Sequence, residues 1–168
     1  MDWVYNYISV STFWTILLIV HMLLAVTLLG AITHQAATTF SSAPSAQQAD
    51  GFLRRFSSVR GAGYTNAVCT LWVLTYILGG FIYTKYRIAI RIPMEQEGYW
   101  KTVGVFELKE NLASVVLMIL PFYWYLWKHA ETAAYDSARR WTTVVIAAIV
   151  WYMFLAGHIV NNVRGFGS

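Results

Sequence analysis

From Thr15 to Thr33 the chain holds one ionisable side chain, His21, in a run that otherwise reads as hydrocarbon, TILLIVHMLLAVTLLGAIT. A helix needs about 20 such residues to cross a bilayer core. Four segments come near that length, over 10–36, 64–83, 107–128 and 141–161. The third has the shortest apolar core and contains Pro121, but its tail FYWYLWK reads as an interfacial anchor. Together they predict an all-α fold, a four-helix transmembrane bundle forming a single domain over 1–168. Composition points the same way: 58% of residues are hydrophobic and 12% charged, against about half and about a quarter in soluble chains. No basic residue precedes the first segment, and it is too long for a signal core, so it is expected to stay in the protein.

Tyrosine and tryptophan fall where this layout puts the headgroups, as amphipathic rings prefer. Trp3, Tyr5, Tyr7 and Trp14 open the first span, and Tyr83, Tyr86, Tyr99 and Trp100 gather at the same side. Tyr123, Trp124, Tyr125, Trp127 and Trp141 mark the opposite one. Trp72, Tyr76, Trp151 and Tyr152 lie deep in their helices, positions that either pack the bundle or line something held in it.

Basic residues divide evenly between the sides. Arg54, Arg55, Arg60, Lys128, Arg139 and Arg140 stand on one; Lys85, Arg87, Arg91, Lys101, Lys109 and Arg164 on the other. The first helix has none before it and three after it, and it usually weighs most in setting orientation. Both termini are therefore expected outside, which in a bacterial inner membrane is the periplasm. The net charge of +4 is spread over both faces, so the expected partners are anionic lipid headgroups and not nucleic acid. Phe52, Phe56 and Val59 fit an interfacial segment whose Arg54, Arg55 and Arg60 reach phosphates, and fit an ordinary basic loop equally well. The stretch RIAIRIPMEQEGYWKTVGVFELKEN is long enough to fold over the outer mouth of the bundle. Cys69 is the only cysteine, which excludes an intrachain disulfide and a thiolate metal cluster.

Candidate function rests on the histidines. A neutral imidazole in hydrocarbon must find a partner, so each one is either an interhelical hydrogen bond or a ligand. His21, His34, His129 and His158 all lie in or at the end of a span. Alternating helix directions put His21 and His158 at similar depth toward the outer face, and His34 and His129 at the inner interface. His21 and His34 are thirteen positions apart and point roughly 140° away from each other at about 100° per residue, so one cofactor takes only one of them. His34 is expected to bond across helices, and His129 to be solvated. On the fourth helix Ala147, Trp151, Phe154 and His158 share a face that suits a flat macrocycle and also suits plain packing.

Lys109 opens the third helix between Glu107 and Glu110, where the macrodipole favours the carboxylates but not the amine. It either snorkels to the headgroups or faces inward to hold a carboxylate.

A histidine in the first helix, the segment FLRRFSSVRGAGYTNAVCTLWVL leading into the second, and a lysine opening the third in FELKENLASVVLMILPFYWYLWK resemble the HemJ-type protoporphyrinogen oxidases and the CopD-like membrane domains. The stretch after the histidine, MLLAVTLLGAITHQAATTF, lacks the Trp-Gly and the Pro and Arg of the HemJ-type pattern, so the likeness is at superfamily level. The resemblance implies haem b in the bundle, with His21 and Lys109 at the haem-associated positions, and electrons passed to or from the membrane. His21 and His158 are then the candidate metal ligands, and Lys109 and Trp151 further cofactor-binding residues. The expected function is electron transfer or redox chemistry on a hydrophobic substrate such as a porphyrinogen or quinol. Short length, aromatic belts and the lack of an acid–base pair also fit a non-catalytic subunit of a larger respiratory or photosynthetic membrane complex, or a homo-oligomer.

Overall fold

The computed structural model describes residues 8–40 and 61–163. Trp3, Tyr5, Tyr7, the interfacial stretch with Phe52, Arg54, Arg55, Phe56, Val59 and Arg60, and Arg164 lie outside the described residues. Those described form helices α1 (Val10–Thr38), α2 (Thr65–Tyr86), α3 (Ile92–Gln96), α4 (Trp100–Lys128) and α5 (Asp136–Val163), and no strand is found among them. Three stretches, Val10–Thr38, Gly61–Gln96 and Ala133–Val163, are long and apolar enough to cross a bilayer, which is compatible with an integral membrane protein. Helix α4 equals α1 in length, but Lys101, Glu107, Lys109 and Glu110 in its first half shorten its apolar run.

Helix α1 begins at Ser9, whose hydroxyl accepts the backbone N–H of Thr12 at 3.1 Å and so satisfies one of the free donors of a helix start. Its apolar side chains run all round the helix. Leu28, Leu29 and Ile32 are buried, while Ile16, Ile19, Leu23 and Val26 are exposed, as befits a helix with apolar solvent on one side. Around the bundle α1 packs on α2 and α5, and α4 on α5 and α2. Cross-helix bonds fix the register. Trp151 Nε1 donates to Thr33 Oγ1 at 3.0 Å, Trp124 Nε1 to Asn66 Oδ1 at 3.1 Å and Tyr152 OH to the Val105 carbonyl at 2.8 Å. Tyr76 OH and Ser114 Oγ meet at 3.1 Å. In each pair of neighbours residue numbers rise along one helix as they fall along the other, so adjacent helices are antiparallel.

The second segment, expected to end near Tyr83, runs on as helix to Gln96. A π turn over Arg87–Arg91 stands just ahead of Pro93. Proline lacks the N–H that α-helical pairing needs there, and the wider turn absorbs the missing bond. Gly98, at φ +83°, closes α3: Tyr99 N–H reaches the Met94 carbonyl at 2.8 Å and Gly98 N–H the Glu95 carbonyl at 3.2 Å, the paired bonds of a glycine helix stop. The stretch read as a possible cover for the outer mouth is thus helical. It contributes Ile90, Met94 and Val103 to an outer cluster with Tyr86 and Val160. Arg91 ties it to α4 through Glu107 at 2.8 Å. Helix α4 starts at Trp100, ahead of the expected boundary, and passes Pro121 unbroken to Lys128.

At the other end the core holds a buried polar clasp. Gln35 Nε2 donates to the Gly61 carbonyl at 2.9 Å and to Thr65 Oγ1 at 3.2 Å, and its Oε1 accepts Tyr123 OH. One amide side chain therefore joins α1, the start of α2 and α4. Beside it Trp127 Nε1 donates to Thr143 Oγ1 at 3.0 Å, joining α4 to α5.

Candidate functional site

Between the inner core and the outer cluster the helices part around two adjoining cavities. The larger, about 350 Å³, is bounded by Tyr86, Ile90 and Phe106 toward the outer end. The smaller, about 60 Å³, reaches inward to Leu28, Trp72 and Val150. His21, Gly79, Lys109, Glu110, Met153 and Phe154 line both. The walls come from helical faces with regular spacing. On α2 Trp72, Thr75, Gly79, Ile82 and Tyr86 are separated by alternating steps of three and four, which keeps them on one stripe, and Tyr76 and Tyr83 flank that stripe in the lining.

His21 stands where α1 and α2 come closest to this space. A Cβ placed on Gly79 would lie 3.2 Å from His21 Cε1, so the ring rests on bare backbone. Its Nδ1 is buried with no hydrogen-bond partner among the described residues. Three of the four polar residues placed by sequence to bond it are engaged elsewhere, Asn66 by Trp124, Ser114 by Tyr76 and Thr65 by Gln35, and the fourth, Asn111, is exposed on α4. An imidazole nitrogen so placed is a costly group to leave unpaired.

Lys109 faces inward. Its side chain is only 12% exposed; Nζ pairs with Glu110 Oε1 at 2.6 Å and lies 4.5 Å from the centre of the Phe106 ring. Gly157 of α5 makes room for it, a Cβ there lying 3.9 Å from Lys109 Cε. The amine is thus held by a neighbouring carboxylate, a partner that any ligand carboxylate must share or displace.

His158 lines the larger cavity from an exposed position on α5. The cavity therefore gathers three of the four candidate residues, one each from α1, α4 and α5. Trp151 lies apart from both cavities: it is exposed, with its indole bonded to Thr33. Phe154, from the same expected face, does line them. His34 stacks on Tyr64, ring centres 5.1 Å apart and planes 18° from parallel. His129 Nδ1 lies 3.0 Å from the Tyr125 carbonyl. Neither lines the cavity. Among the described residues no three His, Cys, Asp or Glu side chains gather as ligands for a bare metal ion.

Thr75, Glu110 and Gly79 are site residues that reading the sequence missed. The signal was present in the repeat of Trp72, Thr75, Gly79, Ile82 and Tyr86, an inward stripe interrupted by a glycine. The chain matches no family model, no curated protein and no solved structure. These comparisons leave the HemJ-type resemblance an expectation; His21 and Lys109, two of the residues quoted for it, both line the cavity.

Gly79 gives the simplest test of the cavity as a binding site. Gly79→Leu is expected to press on the His21 ring and fill the space beside it. The purified variant should stay helical by circular dichroism, yet lose bound ligand relative to the parent. Full retention would place binding elsewhere.

Proposed function

We propose that this is an integral membrane protein of four spans, α4 included, that holds a b-type haem in the larger cavity with His21 as axial ligand. The observation carrying the proposal is the convergence of His21, Lys109 and His158 from three helices on one largely apolar space. An imidazole with a buried unpaired nitrogen, walls of Ile82, Phe106, Met153 and Phe154, and glycines at 79 and 157 form a donor set and a cradle that fit the group. Axial histidine is the usual ligation of such haems in proteins. When bound, the haem supplies one-electron redox chemistry. The chain's own residues orient it: His21 fixes it from α1, Lys109 stands ready to share its charge between Glu110 and a propionate, and His158 lies on the exposed rim. The largely apolar walls lower the local dielectric, which strengthens the electrostatic contacts inside. Electron transfer, or redox chemistry on a hydrophobic substrate, follows from such a site. Titration of detergent-purified protein with haemin should saturate at one per chain with a Soret shift. A linear, unsaturable response contradicts binding at this site.

The orientation we propose rests on the basic residues that follow the first helix and do not precede it. Both termini lie on the outer, periplasmic face of a bacterial inner membrane, and the segment between α1 and α2 inside. Cysteines introduced at Ser45 and Gln96 should label from opposite sides of intact vesicles. Labelling from one side removes the four-span arrangement. A colourless protein that copurifies with larger subunits would favour an accessory subunit instead.

A further inference from the structure

The smaller cavity has a chemistry of its own. Hydroxyls and indoles elsewhere in the bundle, exposed and buried, mostly find partners. Thr15, Thr27 and Thr143 each donate to the carbonyl one helical turn back, at 2.9, 2.8 and 2.7 Å. Trp124, Trp127 and Trp151 each donate to a side chain on another helix. Thr75 and Trp72 break both patterns. Trp72 is 2% exposed and Thr75 8%, yet Nε1 of the one and Oγ1 of the other have no hydrogen-bond partner among the described residues. They stand three positions apart on α2 and line the same cavity, and the third buried atom of this kind there is His21 Nδ1. Three such groups gather around this one small space; the Tyr86 hydroxyl, also buried and without a partner among the described residues, lies outside it.

We infer that this cavity is a binding site for a hydrogen-bonding oxygen, held between Trp72, Thr75 and His21. The indole N–H only donates, so its partner must be an acceptor. The threonine hydroxyl both donates and accepts, and the neutral imidazole nitrogen does one or the other according to tautomer. An oxygen that accepts from Trp72 and also exchanges bonds with Thr75 and His21 satisfies all three. A thioether or a cation does not. Buried polar groups left unpaired are costly, and a site needs only roughly 10–15 Å³ of such volume to hold a water. The cavity's 60 Å³ therefore admits a small water cluster, or the hydroxyl or carbonyl oxygen of a ring whose body sits in the larger cavity. The site rests on Trp72 and Thr75 and holds whether or not His21 carries iron.

The test uses the full chain, haem-free, in lipid nanodiscs with ¹⁵N-labelled tryptophan. Trp72→Phe assigns the Trp72 indole signal, and the remaining indole signals report that the bundle is intact. The Trp72 N–H is expected to show a magnetisation-transfer cross-peak to water, lost in Thr75→Val. If the water cross-peak is absent but a short-chain benzoquinol shifts the Trp72 signal in the parent and not in Thr75→Val, the oxygen belongs to a ligand head group. A Trp72 signal that sees neither water nor the benzoquinol, or one that Thr75→Val leaves unchanged, overturns the inference.

Discussion

His21→Ala is expected to abolish the Soret band of the haem-loaded protein while leaving an α-helical, monodisperse chain. In the proposed site the imidazole is the only nitrogen ligand enclosed within the bundle, since His158 lines the cavity from an exposed position. Nothing in the packing depends on a hydrogen bond from His21 Nδ1, because it makes none among the described residues. Removing the ring should therefore cost the cofactor and spare the fold. His21→Met should retain haem with an altered spectrum, as a thioether is itself an axial ligand. Lys109→Ala should weaken retention or shift the redox potential without removing colour, because a propionate contact contributes less than an axial bond. A full parental spectrum in His21→Ala would make the histidine structural and favour the accessory-subunit reading.

The second large effect is on stability. A Cβ on Gly61 would lie 2.5 Å from the Trp127 ring and 2.5 Å from Thr38 Oγ1, inside any permitted contact. Gly61 also accepts the Gln35 amide at the clasp that joins three helices. Gly61→Val must displace a ring already fixed to Thr143, and should destabilise by at least the ~1–3 kcal/mol of an overpacked core. Thermal unfolding in detergent, followed by circular dichroism, reads this as a lowered midpoint. Because the clash is with Trp127, adding Trp127→Leu to Gly61→Ala should recover part of the loss, the non-additivity expected of residues in contact. Strict additivity would mean that the glycine matters for its backbone and not for the ring above it.

Much of the helical layout was legible in the sequence because membrane-length apolar runs leave the chain few other folds. The boundaries were less legible where local signals conflict. The second segment was expected to end near Tyr83, yet a π turn carries the helix on to Gln96; Gly98, which needs its positive φ, is the break. The third span was expected to open at Glu107, but the helix begins at Trp100: Val103 is buried against Tyr86 and Met94, and Glu107 is paired with Arg91. Gln35 drew no reading from the sequence. Its role depends on Gly61 and Tyr123, 26 and 88 positions away, and no local pattern carries such a contact. Within the site, His21 and Lys109 stood out as polar groups in apolar company. Thr75 and Gly79 did not, because a threonine and a glycine in a membrane helix are ordinary until the space beside them is known. Trp151 shows the converse. It was expected on one face with Ala147, Phe154 and His158, but α1 lies close enough for Thr33 to take its indole, and of those four only Phe154 and His158 line a cavity.

The most direct measurement is the visible spectrum of the protein purified from membranes in detergent, first oxidised and then reduced with dithionite. A haem held by His21 predicts a Soret band in both states, a sharp α-band on reduction, and a pyridine haemochrome of b type at one per chain. A colourless protein that stays colourless after incubation with haemin, while remaining folded, would contradict it.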